Sequence, residues 1–220
     1  MNIPILYEDE SLLVCVKPRG VSSEEDGLGA LLAEQAGCAR CYCVHRLDQA
    51  VGGVMVWAKT KDAAASLSGQ ISGGGMRKEY LAVVSGQPEA SGELFDLLFH
   101  DRAKNKTYVV RRKRAGVREA SLSYRRLAGA EGLSLVQIRL HTGRSHQVRV
   151  QFASRGMPLA GDGKYGSIYK CPLALWAFRL GFRRPADGRA LSFTAMPEAE
   201  YPWTLFDYEP KGEPLCDTLK

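Results

Sequence analysis

From Lys78 to Val84 the chain alternates strictly, with Lys78, Tyr80, Ala82 and Val84 on one side and Glu79, Leu81 and Val83 on the other. A period of two is the signature of a β-strand, and it commits Tyr80 to one defined face. Tyr108 to Val110, Ala120 to Arg125 and Leu133 to Leu140 read as further strands. The last two are linked through Gly129-Ala130-Glu131-Gly132, a connection that favours an antiparallel hairpin. Leu12 to Val16 and Gly53 to Ala58 are short apolar runs of the kind found in buried strands. Helical signals are fewer. Thr60-Lys61-Asp62 caps a short helix through Ala63, Ala64, Ala65 and Leu67, and Ser145 is expected to cap a second helix that ends at Gly156. Strands outnumber helices, so the expected fold is α+β: a mostly antiparallel, mixed sheet with flanking helices. No repeat or Pro-rich linker divides the sequence, and residues 1–220 are read as a single domain.

With 220 residues, 45% of them hydrophobic, the chain can bury a substantial core, and its composition is that of a globular protein. The first ten residues carry no basic segment and run into acids, and no apolar stretch approaches the ~20 residues that cross a bilayer. A cytoplasmic protein with no membrane partner is therefore expected. Six scattered cysteines do not make a disulfide framework. Cys38, Cys41 and Cys43 suggest zinc, but a structural site needs about four ligands and only His45 stands nearby, so no metal is expected.

The net charge of +6 is concentrated. Between Asp101 and Arg126 ten basic residues face two acidic ones, while elsewhere 20 basic residues are outnumbered by 22 acidic ones. The run includes Lys104, Lys106, Arg111, Arg112, Lys113 and Arg114, with Tyr108 and Tyr124 among them. Basic residues interleaved with aromatics fit a polyanionic partner, with nucleic acid ahead of an anionic membrane surface.

Two segments carry candidate chemistry. In the first, His45-Arg46-Leu47-Asp48 precedes a turn at Val51-Gly52-Gly53, so a carboxylate stands between basic residues and glycines. An Asp in a turn also commonly caps local backbone N–H groups. In the second, Thr142-Gly143-Arg144-Ser145-His146-Gln147-Val148-Arg149 follows the strongest strand, and the spacing of His146 and Arg149 puts them on one helix face. Two other motifs fail. Gly161-Asp162-Gly163-Lys164 is followed by Tyr165 where a phosphate loop needs Ser or Thr, and His45-Arg46-Leu47-Asp48 lacks the order and partners of a kinase catalytic loop.

Taken in order, these segments resemble the RluA family of RNA pseudouridine synthases along most of the chain. Ile5 to Glu10 with Lys17-Pro18-Arg19-Gly20 is similar to the family's first element, and His45 to Asp48 with Gly53 and Ala58-Lys59-Thr60 to its catalytic signature. Lys78 to Gly86 resembles the segment that bears the active-site tyrosine. Thr142 to Val150 with Gly156, Pro158, Gly161-Asp162 and Tyr165-Gly166 resembles the third block. The resemblance implies isomerisation of a uridine in rRNA or tRNA by a monomer with no cofactor. The N1–C1′ bond breaks, the base turns, and it rejoins through C5. It further implies that Asp48 attacks C1′ or deprotonates the ribose, that Tyr80 stacks on the flipped base, and that Arg149 pairs with Asp48. His45, Arg46, Arg144, His146 and Gln147, with the basic run, are the implied RNA contacts. The chain is expected to lack the N-terminal S4-type RNA-binding domain of some relatives.

The chain departs from the pattern at two places. Val51-Gly52 stands where the family usually has Thr-Ser, and Trp176-Ala177-Phe178 stands where it often has a His. A catalytically silent RNA-binding or ribosome-assembly protein is the alternative, against which the joint retention of Asp48, Tyr80 and Arg149 argues. A glycoside hydrolase would need a second matched carboxylate.

Overall fold

The computed structural model describes residues 1–208, and Cys216 lies outside them. In chain order the elements are β1 (Ile5–Glu8), β2 (Leu12–Lys17), α1 (Ala30–Gln35), β3 (Tyr42–Cys43), β4 (Gly52–Ala58), α2 (Lys61–Ser72), β5 (Arg77–Ser85), β6 (Ser91–Asp101), β7 (Lys106–Val110), β8 (Val117–Ala130), β9 (Leu133–Leu140), α3 (Gln147–Ala153), β10 (Leu175–Arg183) and β11 (Ala190–Thr194). The strands form one sheet in the order β1-β2-β4-β10-β5-β9-β8-β6-β7, with β11 on β10 and β3 on β4. Among the described pairs only β10 with β4 is parallel. The fold is α+β around a mixed, mostly antiparallel sheet, as expected.

Alternation along the strands divides the core between the two sheet faces. Tyr80, Ala82 and Val84 of β5 pack with Val136, Ile138 and Tyr124 beneath Val148 and Phe152 of α3. Leu81 and Val83 point the other way, to Leu133, Leu135, Trp176 and Phe178. Farther along the sheet α2 lays Ala63 and Leu67 on Val54, Val56 and Phe182. The expected cap is present: Thr60 Oγ1 accepts from the Ala63 N–H at 3.2 Å. The hairpin also forms, with Glu131 and Gly132 at φ 52° and 73° closing the turn between β8 and β9.

The helix expected from Ser145 is shorter and capped differently. It begins at Gln147, and the residue before it, His146, adopts a left-handed conformation (φ 53°) with no side-chain cap. Gln147 takes over the role: its Oε1 accepts from the Arg144 N–H at 3.0 Å and from Thr142 Oγ1 at 2.8 Å, while its Nε2 donates to the Ser121 carbonyl at 3.0 Å. A side chain inside the helix thus ties down the loop before it, and the Ser145 hydroxyl is not needed. At the other end the helix stops at Ala153, and Gly156 (φ 76°) falls in the turn that follows.

Strands β1, β3, β6, β10 and β11 complete the sheet, and of these β6 and β10 are long but lack a clean alternating pattern. Strand β6 is apolar on both faces, burying Leu94 and Leu98 while Phe95 is left 66% exposed. Strand β10 is central and buried over Leu175 to Phe178.

Candidate active site

The loop between β3 and β4 brings Asp48 into the lining of a cavity of about 820 Å³, whose wall also includes Lys78, Tyr80, His146 and Arg149. Asp48 is set by its own turn and by a neighbour to which the sequence assigned no role. The Val51 N–H donates to the Asp48 carbonyl at 2.9 Å. The fully buried Lys17 donates through Nζ to the carbonyls of Pro18, Gln49 and Val51 at 2.9, 3.2 and 2.7 Å. An ammonium that bonds three carbonyls fixes the path of the loop, and its burial pushes Lys17 down to about 8.

Arg149 reaches Asp48 from α3. Its Nη1 donates to Asp48 Oδ2 at 3.0 Å, while Nε and Nη2 donate to Asp162 Oδ2 and Oδ1 at 2.7 and 2.8 Å. The bidentate pair with Asp162, whose side chain is buried, leaves Arg149 one rotamer in which its free edge meets Asp48. Asp162 lies in the Gly161-Asp162-Gly163-Lys164 segment that fails as a phosphate loop. Its local signal is Gly161 (φ 77°), where a Cβ would meet the Pro172 carbonyl oxygen at 2.3 Å.

A second chain of contacts ends on the same carboxylate. His146 Nε2 lies 3.7 Å from Asp48 Oδ2, and His146 Nδ1 is 2.9 Å from the Tyr165 hydroxyl. The Thr107 N–H donates to that hydroxyl at 2.8 Å, and Thr107 Oγ1 donates to the Ser145 carbonyl at 2.8 Å. Desolvation lowers the pKa of His146 despite Asp48 nearby, so the neutral ring is favoured. The Tyr165 hydroxyl already accepts from the Thr107 N–H, so its own proton is available to Nδ1, the arrangement that places the imidazole proton on Nε2 toward Asp48.

Tyr80 is buried, and its phenol is pushed well above the usual range by burial and by Asp48. Among the described residues its hydroxyl has no hydrogen-bond partner. It is held as a neutral ring on the cavity wall.

The remaining expected contacts divide. His45 Nε2 accepts from the Val56 N–H at 3.2 Å, and burial pushes it down to about 3, so it anchors the loop to β4 as a neutral ring. Gln147 is buried with its amide committed to the loop, which takes it off the RNA surface. Arg46 is exposed and paired with Glu24 at 2.8 Å at the cavity rim. The basic run does not form one cluster. Strand β7 separates Lys104, in the turn after β6, from Arg111, Arg112, Lys113 and Arg114, in the loop before β8. Lys106 lies over the rings of Tyr108 and Tyr165, Arg114 lies over Phe99, and Lys113 pairs with Glu119. Arg144 is exposed, held by Nε to the Glu119 carbonyl at 3.0 Å.

The two departures from the family pattern touch each other. A Cβ on Gly52 would lie 2.3 Å from the Trp176 ring, and one on Gly53 (φ 124°) would lie 2.2 Å from the Ala177 carbonyl oxygen. Glycine at 52 makes the room that Trp176 fills in the parallel pairing of β4 with β10.

Among the described residues no group of three or more His, Cys, Asp or Glu side chains is placed to hold a metal ion. The sulfurs of Cys38 and Cys41 are 3.7 Å apart, but Cys43 turns to the Ser23 and His45 carbonyls. No helix among them is long and apolar enough to cross a membrane.

Residues 11–154 match the family model described as RNA pseudouridylate synthase. Ribosomal large subunit pseudouridine synthase D of Zymomonas mobilis is 34% identical over 227 residues, covering 89% of this chain and 70% of that protein. The protein of the same name from Pseudomonas aeruginosa is 34% identical over 185 residues, covering 78% of this chain and 56% of its own length. The solved structure of human RNA Pseudouridylate Synthase Domain Containing 4 superposes with a TM-score of 0.74 at 25% identity over 89% of both chains. A carboxylate gripped by an arginine beneath a tyrosine-walled cavity, on this sheet and with these relatives, places the chain in the RluA family of RNA pseudouridine synthases, the isomerases of uridine in RNA.

Proposed function

We propose that this synthase acts on uridines of large-subunit ribosomal RNA, as a cytoplasmic monomer, with Asp48, Tyr80 and Arg149 as its reacting centre. One observation carries the reading. Asp48 lines a cavity of about 820 Å³, within the usual ligand range of ~300–1,000 Å³, with Oδ2 held by Arg149 and Oδ1 without a protein donor among the described residues.

The roles follow from the placement. A uridine in a helix is out of reach of a recessed carboxylate, so it is extruded at a cost of a few kcal/mol and received against the Tyr80 ring. Asp48 Oδ1 acts on the ribose as the N1–C1′ bond breaks, and Arg149, bonded to Oδ2, holds the carboxylate aimed. The freed uracil turns within the cavity and C5 bonds to C1′. The proton displaced from C5 leaves, and N1 ends protonated, so the product is an isomer of the substrate. Arg46 contacts the strand at the rim. Lys104, Lys106 and Arg111 to Arg114 supply phosphate contacts, which set the register of the RNA without reading its sequence. The large-subunit assignment is supported by the names of the Zymomonas and Pseudomonas relatives.

The test is tritium release from unmodified ribosomal RNA labelled at uridine C5, comparing the native chain with Asp48→Asn. Release that depends on Asp48 is the expected result. Tight binding without release would overturn the reading in favour of a silent binder.

A further inference from the structure

Lys78 stands in the cavity wall, two residues from Tyr80 on the same face of β5, and the reaction at Asp48 does not use it. Its neighbours make it unusual. Every acidic group near the cavity already has a partner: Asp48 and Asp162 hold Arg149, and Glu24 holds Arg46. Among the described residues the Lys78 ammonium has no hydrogen-bond or ion-pair partner. The charge that acts on it is positive, and His45, the neutral ring on the same cavity wall, gives it no counter-charge. Burial pushes its pKa down, and Arg144, acting on it as a like charge, pushes the same way. Lys78 Nζ lies 3.3 Å from where a Cβ of Gly143 would sit, so the absence of a side chain at 143 leaves the ammonium and the loop backbone in close approach.

Two unneutralised cations held near each other, one of them half-buried, cost free energy in the unliganded protein, and an anion supplied by a ligand removes that cost. Arg144 also borders the shallow depression formed with Arg114 and Arg118, so it connects the basic loop before β8 to the cavity. Its Nε is held by the Glu119 carbonyl, which leaves the Nη edge of the guanidinium for a ligand.

We infer that Lys78 and Arg144 form a phosphodiester subsite at the cavity wall, the innermost contact of a backbone track that runs from Arg114 and Arg118 into the site. The subsite rests on the reading of RNA as substrate and adds to it the element that delivers the target nucleotide to Asp48. A phosphodiester beside the flipped uridine bonds the Lys78 ammonium and the Arg144 guanidinium together, and its negative charge offsets their mutual repulsion. Lysine suits the position because a point charge on a flexible stem follows the backbone as the nucleotide turns.

The experiment measures binding of an unmodified large-subunit ribosomal RNA transcript across a range of salt concentrations, for the native chain, Lys78→Met and Lys78→Arg. Pseudouridine formation is followed in parallel. Lys78→Met is expected to weaken binding about tenfold and to lower the slope of log affinity against log salt by ~0.7–0.9, the value of one phosphate contact. Lys78→Arg is expected to restore the slope, a recovery that a merely structural role would not give. A native slope in Lys78→Met overturns the subsite. So does a Lys78→Met protein that binds as the native does while its bound complex reacts more slowly, because the charge then acts on the leaving uracil. The two failures separate cleanly. If the native chain makes pseudouridine and the slope ignores Lys78, the subsite alone falls. If the slope follows Lys78 but the native chain makes no pseudouridine, the subsite stands and the assigned reaction falls.

Discussion

The centre around Asp48 and the basic surface around Arg111 to Arg114 are built on opposite terms. In the centre Asp48, Arg149 and Asp162 are fixed partners of one another, Arg149 is 7% exposed, and its three-way bonding to Asp48 and Asp162 joins segments 101 and 13 residues away in sequence. On the surface Arg111, Arg112, Lys113 and Arg114 are all exposed, and two of them make only a ring contact or a solvent-exposed ion pair. Buried, mutually dependent charges fail together when one is removed, whereas solvated charges add and subtract nearly independently. The first arrangement suits chemistry, and the second suits a long anion whose contacts need only sum.

The sharpest way to break this contrast is Asp48→Asn. It should reduce pseudouridine formation by ~10²–10⁴-fold or more while RNA affinity and thermal stability stay near native; a variant that still turns over would remove Asp48 from the chemistry. Arg149→Ala should go further in damaging the fold, by ~3–5 kcal/mol in denaturant unfolding, because it strands the buried Asp162 carboxylate and unpairs Asp48. If its stability is native, the charges of the centre do not depend on one another. Gly52→Ala should cost ~1–3 kcal/mol by driving a methyl into the Trp176 ring. Combined with Trp176→Leu the two costs should fall well short of additive, and additive costs would show that the two departures are not one packing solution. Reversing the charges of Arg111 to Arg114 should leave stability within ~0.5 kcal/mol and lower the salt slope of RNA binding by ~0.7–0.9 for each phosphate no longer neutralised. An unchanged slope would take this loop off the RNA.

An effect confined to acid pH, absent at neutral pH, concerns His45. Its folded pKa of about 3 lies below the ordinary 6.5, so between these values the unfolded chain binds a proton that the folded chain does not. Stability from this group is complete above pH 6.5 and is lost as pH falls toward 3. His45→Gln should flatten that part of the stability profile, and an undiminished slope would assign the acid sensitivity elsewhere.

Strands β4, β5, β8 and β9 were legible because each buries one or both faces in a way that period or continuity reports, and Thr60 announced α2. Strand β6 was silent because Phe95, Leu97 and Phe99 are apolar on the face turned from the core, which erases alternation. At the site, Asp48, Tyr80 and Arg149 could be named from motifs. The roles of Lys17 and Asp162 could not, because nothing local marks a lysine whose acceptors lie 32 and 34 residues away or an aspartate that bonds an arginine one helix earlier. Ser145 was the wrong cap for a related reason: a Gln side chain folding back on its own loop competes with the local cap, and sequence spacing cannot rank the two.

Local patterning thus settled which segments become strands, where α2 begins and which residue types could do chemistry, because period, capping and charge density act over a few neighbours. The pairing of β4 with β10, the accommodation of Trp176 by Gly52, the triple grip of Arg149 and the isolation of Lys78 belong to the assembled sheet. They depend on which distant atoms come within bonding distance, and chain order alone does not carry that information.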